Sequence, residues 1–565
     1  MDNFTARILI ANLIERLVAD ANGSMSLPGL LTTNELKALQ FAISELGGSG
    51  SGTGTAPTVN PAVSQPTAVQ APLPVEVVAK PVPAITLDMS ALKMPKVNDM
   101  RLCLDFGTAM SKATLVLDGS EEQICVLELG KPGDQEEVSN VMLISSVYID
   151  NAGRIWFGKK AVDRSLIEGE DGSRQRLDNI KRRVSEDGFD DLVGAPIFAP
   201  HGVEVTYGQM ILAYLMFLTW ATSRALESVG YQRNVQRRFA MPCFPSNKSR
   251  DVSHELRRML GEAQVLADTF SASMTSGIPV ADFVTAVKRL KAAKVDYPFM
   301  AEDITEPLGV AGALLSWRNR VDMLVMVIDV GAGTSDLSLY RILVDPEKRL
   351  NTAQEVANSA RGITEAGNFL DRVLIEFILK KAGVKSGSDG AVAARSKLEL
   401  NIRDYKETLF NEKFLFIALS NGLDVEIELD EFLSLDAVKG FGATLRATMA
   451  EILEAVDYSF VEWILSNPSR YLTVALTGGG AALPMIQELA KGSILVRGQK
   501  VPVQPALPFP TWLQTDYPEL EDDFARIAVS LGGARKRLIQ RGDGASITAG
   551  LTSAPTLGGY YQKGA

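Results

Sequence analysis

The chain has 565 residues, 46% hydrophobic and 22% charged, the balance of a soluble globular protein with room for several cored domains. A formal net charge of -11 supplies no phosphate-neutralising surface, which excludes a general nucleic-acid or anionic-membrane binder on electrostatic grounds. Three widely spaced cysteines and two histidines give neither a disulfide framework nor a thiolate metal site, and a reducing, cytoplasmic location is expected.

Residues 1–47 carry two stripes at helical spacing: Ile10, Leu13, Ile14, Leu17 and Val18, then Leu36, Leu39, Ile43 and Leu46. Asn22-Gly23 supplies a stop between them, and Thr32 with Glu35 fits a capping box that opens the second helix. A helical hairpin this small buries too little to stand alone, so it docks on its own chain or on a partner. Residues 48–98 then change to Gly, Ser, Pro, Thr and Ala and read as a tether, flexible at its glycine-rich start and more extended where proline dominates.

From about residue 99 to 540, β-branched strands alternate with amphipathic helices, which predicts an α/β body. The longest apolar run, MILAYLMFLTWA (210–221), falls short of the roughly twenty residues that cross a bilayer and predicts a buried helix. The opening Met-Asp-Asn has no basic region or cleavage pattern, so no secretory signal is expected. Residues 541–565 return to Gly, Ser, Thr and Ala and read as a disordered tail.

Two segments in the body share one plan. LCLDFGTAMSKATLVLD (102–118) is an apolar strand ending in Asp105, a small-residue turn containing Gly107, Thr108, Ala109 and Met110, and a second strand carrying Lys112. VIDVGAGTSDLSLY (327–340) places Asp329, Gly331, Ala332, Gly333, Thr334 and Asp336 in the corresponding order. Glycines permit close backbone approach, so each turn can present N–H groups to a polyphosphate. A carboxylate at each strand end suits Mg²⁺, which keeps most of its waters and takes few direct protein ligands. A third turn, Gly478-Gly479-Gly480 in YLTVALTGGGAALPMIQELA (471–490), runs from a strand into a helix and suits a ring or sugar beside it. Any one such turn also fits an ordinary hairpin or strand-to-helix connection; the ordered trio is what points to a nucleotide.

With these motifs the body resembles the nucleotide-binding domain of the seventy-kilodalton heat-shock chaperones, within the actin and sugar-kinase superfamily, over residues 100–540. Further segments match in the family's order. QRLDNIKRRV (175–184) resembles the segment with the catalytic lysine, here Lys181, and TEPLGVAGALL (305–315) resembles the helix start with the catalytic glutamate, here Glu306. FAMPCFPSNKSRDVSHELRRMLGEAQVL (239–266) resembles the family's Val-Pro-Ala-x-Phe strand and helix. ARGITEAGNFLDRVLIEFI (360–378) resembles its Gly-Gly-x-Asp-Phe-Asp segment, with Gly367 beside phosphate. Taken singly, Lys181 in the run KRR also fits a solvated helix face, and Glu306 before Pro307 a helix-start acid.

The resemblance implies a two-lobed actin-like ATPase fold: duplicated mixed β-sheets flanked by helices with a nucleotide cleft between them. Lobe I would span residues 99–320, lobe II 321–519, and residues 520–540 a helix returning to lobe I. It implies ATP/ADP and Mg²⁺ as cofactors, with Asp105 and Asp329 holding the metal through water and Thr108, Thr334 and the loop amides holding phosphates. Lys181 would stabilise transferring charge, and Glu306 and Asp336 would orient the attacking water. Lys406, in LNIRDYKETLF (400–410), is retained from the helix that clamps adenosine.

Departures are as informative. Glu407 and Phe410 stand where the family has an adenine-stacking arginine and a serine, and Gly480 and Ala482 replace a serine and a second arginine, leaving nucleobase preference open. Lys112 resembles the phosphate lysine of actins. No peptide-binding domain is expected after the body, and residues 268–300, longer than the family's usual link, are expected to form an extra surface. The expected function is a slow, partner-stimulated, chaperone-like ATPase whose lobe motion regulates a dedicated protein partner, reached through residues 1–47 or the lobe surfaces. An actin-like polymerising ATPase, a small-molecule phosphotransferase and a nucleotide-sensing pseudoenzyme are the competing expectations.

Overall fold

Two long apolar hairpins seed the structure, and the chain winds parallel strands onto each. The computed structural model describes residues 85–540 apart from 96, 120, 170–171, 186–187, 245, 386–389 and 420–422, together with Ile10, Val18, Ala19, Met25, Ser26, Leu39 and Ala42. The first hairpin pairs β1 (Val97–Asp105) with β2 (Met110–Leu117), from Met100 opposite Leu117 to Asp105 opposite Lys112. β3 (Gln123–Val126) joins β2 antiparallel, while β4 (Val235–Met241) and β5 (Met300–Thr305) add in parallel, giving the order β5-β4-β1-β2-β3. The second sheet repeats the plan. β6 (Val321–Val330), β7 (Ser335–Asp345) and β8 (Leu350–Glu355) are antiparallel neighbours. β9 (Leu472–Thr477) adds in parallel to β6; β10 (Ser493–Val496) pairs antiparallel with β11 (Gln499–Pro505), and the order is β8-β7-β6-β9-β11-β10. The protein is thus a mixed α/β structure, as the alternation of strands and helices predicts.

Strand alternation sends successive side chains to opposite sheet faces. In β1, Leu102 and Leu104 enter a core on the outer side of the first sheet, and Cys103 enters a core between the sheets. β6 divides likewise: Leu324, Met326 and Ile328 face the second sheet's own core, Val325 and Val327 the shared one. Helices cover the outer faces. α1 (Tyr207–Ser228) is apolar nearly all round and holds the predicted run 210–221; it opens with a capping box between Thr206 and Gln209 and packs on α2 (Ser246–Thr269). Among the described residues, no helix is long and apolar enough to cross a membrane.

Residues 268–300 form α3 (Val280–Ala293), which buries Phe283, Ala286, Val287 and Leu290 in the first core. The end of the tether is also anchored there: Ile85, Leu87, Met89 and Leu92 pack on the same core, and the Asp88 amide donates to Thr269 Oγ1 at 3.0 Å. Most of residues 1–47 and all of 48–84 and 541–565 lie outside the described residues, so the capping box at Thr32 and most of the helical stripes do too. Ile10 is helical, half-buried and packs against the second core. Val18 departs from its expected helical stripe: Val18–Ala19 pairs antiparallel with Met25–Ser26.

Two helices fill the space between the sheets. α4 (Glu306–Leu314) touches β4, β5, β6 and β7, and α8 (Phe524–Ala534) touches β1, β2, β4 and β9. Helices α5 (Gly367–Lys381), α6 (Ala391–Glu412) and α7 (Asp436–Ala455) cover the second core. α4 and α8 cross at glycines: a Cβ on Gly532 would run into the Gly309 carbonyl and stand 2.5 Å from the Ala313 nitrogen. Replacing an interior helical glycine by alanine ordinarily gains about 1 kcal/mol, but overpacking costs about 1–3 kcal/mol, and here the obstacle is backbone. Gly532→Ala is therefore expected to lower the denaturant midpoint of unfolding; a raised midpoint would contradict this crossing.

Candidate functional site

The two hairpin mouths end in contact. Gly107 can only be glycine, because a Cβ would occupy the space of the Met110 carbonyl oxygen. In the second mouth the Gly331 amide donates to Thr334 O at 2.9 Å, which closes the turn. Gly333 faces the first mouth so closely that a Cβ there would stand 2.7 Å from Thr108 Oγ1. Turns separated by more than two hundred residues therefore lie against each other, with Asp105 and Asp329 at the ends of β1 and β6 behind them.

Around this junction sit buried charges. Lys181 is paired with Glu306 at the start of α4, and both are nearly inaccessible. Lys112 Nζ lies 3.4 Å from Asp105 Oδ2, and Lys181 Nζ stands 5.8 Å from the centre of the Phe106 ring. Asp336, opposite Asp329 in the β6–β7 register, accepts the Cys243 amide at 2.7 Å through Oδ1, while its buried Oδ2 has no hydrogen-bond partner. Four carboxylates, Asp105, Glu306, Asp329 and Asp336, are thus set against two ammonium groups. Burial, then Glu306 and Asp105, push Asp329 up to about 7 in spite of Lys112 and Lys181. Asp336 is driven well above the carboxylate range by burial and by Glu306, against the amide of Cys243 and the hydroxyl of Thr334. For Lys181 burial favours the neutral amine, but Glu306 and Asp105 outweigh it and raise the ammonium above its ordinary range. The pocket is short of positive charge, as a site that receives a cation would be.

The other predicted residues gather at the second mouth. The amides of Gly367 and Asn368, at the start of α5, donate to Gly331 O at 3.0 Å and Ala332 O at 2.7 Å. Lys406 on α6 reaches Asp371 Oδ1 at 2.6 Å and the Gly367 carbonyl at 3.2 Å, so it is held at the helix start. Gly478 has φ +82°, and a Cβ on it would meet Asp329 Oδ1 at 2.5 Å; the Gly480 amide donates to Val330 O at 2.9 Å. Gly479 faces open space. The Ala109 carbonyl turns away to accept the Ser145 amide at 2.8 Å. Glu407 is exposed, and Phe410 lies edge-on to Phe432, 6.2 Å between ring centres.

Sequence reading missed Cys243, whose amide holds Asp336; Asp371, which holds Lys406; and Thr477, which donates to Asp329 Oδ1 at 3.2 Å. Asp371 alone left a local signal, standing four residues after Gly367 on the same helix face. Among the described residues, no three His, Cys, Asp or Glu side chains converge as a direct metal cage. No protein-family model matches the chain, and no curated protein matches it.

Chemically, the arrangement offers two glycine turns with backbone donors for oxyanions, two lysines beside them, and an excess of carboxylate for a cation. The turn residues are conformationally specific. Gly478→Ala is expected to cost about 1–3 kcal/mol for its left-handed backbone and its crowding against Asp329, and Gly479→Ala no more than about 0.5 kcal/mol. Urea unfolding of the two variants measures the contrast, and equal midpoints would refute it.

Proposed function

We propose that the protein is an ATPase of the two-lobed actin-like plan, related to the heat-shock chaperones, that binds Mg-ATP between its two sheets and hydrolyses it slowly. The observation that carries the reading is the apposition of Thr108 with Gly333 over four buried carboxylates and the buried Lys181, with the half-buried Lys112 beside them. On this reading the two sheets with their helices are the lobes, and the cleft lies between the hairpin mouths. Asp105 and Asp329 hold Mg²⁺ through its waters, and the charge deficit of the pocket and the unpartnered Oδ2 of Asp336 suit such a group. When bound, the ion neutralises charge on the phosphate oxygens. Thr108, Thr334 and the amides of residues 107–110 and 332–334 bind the phosphates, while the Gly331 amide holds the turn closed. Lys112 and Lys181 offset their negative charge, and Lys181 exchanges its partner Glu306 for the transferring group. Glu306, released from Lys181, and Asp336 then orient water for attack.

Gly478 and Gly480 pack closely on Asp329 and Val330, and Gly479 between them faces the open space that the nucleoside would enter. Lys406 is the retained clamp, and the missing arginines and the exposed Glu407 leave adenine held more by shape than by stacking cations. Catalysis of this kind is positioning and electrostatics, so it is slow until a partner stabilises the closed form. Its output is a conformation, read by a protein partner recruited through residues 1–47 or the lobe surfaces, in the cytoplasm. A polymerising role rests on one feature, Lys112 at the first mouth; ATP-dependent sedimentation distinguishes it.

Mg-ATP is expected to raise the melting temperature, since a ligand bound only to the folded state adds stability by mass action, and a chelator should remove most of the rise. Asp329→Ala and Lys181→Ala should each cut hydrolysis by tens-fold or more, on the scale of losing one charged stabilising group. A thermal shift without turnover in the unmodified protein would make it a nucleotide sensor, and unaltered turnover in both variants would remove these residues from the site.

A further inference from the structure

The last residues of the tether lie over a cluster of buried charge on the first half. Residues 85–95 run into one 3₁₀ turn, Ser90–Lys93, with Ile85, Leu87 and Met89 packed alternately on the first core and Leu92 beyond them. Thr86 and Asp88, between those anchors, are exposed. Polar bonds fasten the segment along its length. Arg289 on α3 donates to the Ile85 carbonyl, and the Asp88 amide donates to Thr269 Oγ1 on α2 at 3.0 Å. Arg233 Nη2 donates to Ser90 Oγ at 3.0 Å, and Asn234 Nδ2 to the Pro95 carbonyl. The same Arg233, through Nη1, meets Asp268 Oδ1 on α2 at 3.0 Å, and the Asp268 side chain is 5% exposed. Arg237, at the start of β4, is fully buried and donates to the Arg233 carbonyl. Asp268 Oδ2, Asn234 Oδ1, Arg233 Nε and Arg237 Nε and Nη1 are buried without a hydrogen-bond partner.

We propose that residues 85–95 are a proton-gated strap: docked, they cover Asp268 in its uncharged form, and ionisation of that carboxyl loosens them and frees the end of the tether that carries residues 1–47. The geometry supplies the gate. One oxygen of Asp268 has Arg233, but the other is out of water and unpartnered, which opposes a carboxylate there. The strap adds a like charge of its own in Asp88, which Ser90, through its hydroxyl and its amide, holds below the ordinary range and so ionised. Burial raises Asp268 most; Arg233 lowers it, Asp88 raises it, and Arg237 and the Gln264 side chain lower it, leaving it up to about 6 from an ordinary 3.8. Arg289 on α3 grips the strap itself. A carboxyl raised by docking binds its proton more tightly in the docked state. Docking is therefore strongest below pH 6 and weakens as the pH rises through it. If undocking restores the ordinary value, the ratio of docked to undocked strap falls about tenfold between pH 5 and pH 7.5. The strap is also where a pull on the tether enters the body, so a partner engaging residues 1–47 draws on a segment that holds in mild acid and yields at neutral pH.

The inference is independent of what the cleft binds. A nitroxide on Thr86→Cys in the full chain, with Cys125→Ser, reports the strap, because Thr86 is exposed and Cys103 and Cys243 are buried. Its spectrum should gain a mobile component as the pH rises, with a midpoint near 6 and about a tenfold change in the mobile-to-immobile ratio by pH 7.5. Asp268→Asn keeps the shape without the charge, and its label should stay immobile throughout. Arg289→Ala, which loses the bond to Ile85, should raise the mobile component at every pH without moving the midpoint, and so brings even a tight strap into range. The same label on the exposed Ala281 of α3 should not respond to pH. A pH response retained in Asp268→Asn would assign the transition to another group and overturn the gate. So would a label that is flat in both the unmodified protein and Arg289→Ala, or one matched at Ala281. If Asp268→Asn does not fold, the exposed Asp88→Asn decides: removing the like charge should lower the midpoint, and an unmoved midpoint refutes the proposal.

Discussion

The contact on which the rest of the architecture depends is the crossing of α4 and α8 at bare backbone. Both helices lie between the sheets, and Gly309, Gly312 and Gly532 let their main chains approach to within a side chain's thickness. Each interior glycine costs its helix about 1 kcal/mol relative to alanine, a cost offset by dense packing of the shared core around Leu308, Val310, Ile527 and Leu531. The consequence is geometric. The distance between the sheets sets whether Thr108 and Gly333 meet, and a wedge at the helix crossing would separate the hairpin mouths by a comparable amount. Glu306, the first residue of α4, is positioned by the same packing, so the partner of Lys181 and the spacing of the turns share one origin.

That geometry stores electrostatic tension. Four carboxylates and Lys181 are held together out of water with Lys112 at their edge, and Asp329 and Asp336 resist ionisation because burial and their neighbours oppose it. A fold optimised only for stability would replace such a cluster with apolar side chains. Its retention, together with the unpartnered Oδ2 of Asp336, marks the mouths of the two hairpins as a place where good packing rules give way. On the proposed reading the missing charge arrives with the ligand.

Much of this was legible in the chain because it is local. A strand ending in Asp, then small residues, then another strand is encoded within seventeen letters, and its repetition two hundred residues later needs no tertiary knowledge. The apolar run at 210–221 likewise fixed a buried helix. What could not be read depends on residues distant in sequence. Gly532-Gly533 looks like a helix stop by local rules, yet it lies inside α8, because the approach of α4 requires glycine at 532 and the side chains of Ile304 and Cys103 require it at 533. Val18 continued an apolar stripe at helical spacing, yet it pairs as a strand with Ser26. Cys243 acts through its amide, which carries no side-chain signature.

The arrangement of hydrogen bonds also suggests how events at the turns reach the surface. The second glycine turn is not free to move alone: its carbonyls at Gly331 and Ala332 hold the first amides of α5. Lys406 then joins α5 to α6 through Asp371 and the Gly367 carbonyl, and α6 meets the lysine segment of the other half at Leu400 and Arg403. The path therefore closes on itself, from turn to helix to helix to lysine loop, and returns to the junction through Lys181. A ring of this kind resists partial displacement, because shifting the turn strains every link unless α5 and α6 move together. Packed helices move most cheaply as rigid bodies, so a change of contacts at the turns is converted into a displacement of the α5–α6 pair rather than absorbed locally. On the proposed reading, the exposed side of α6 is the surface on which a small shift in the site becomes a change that a partner detects.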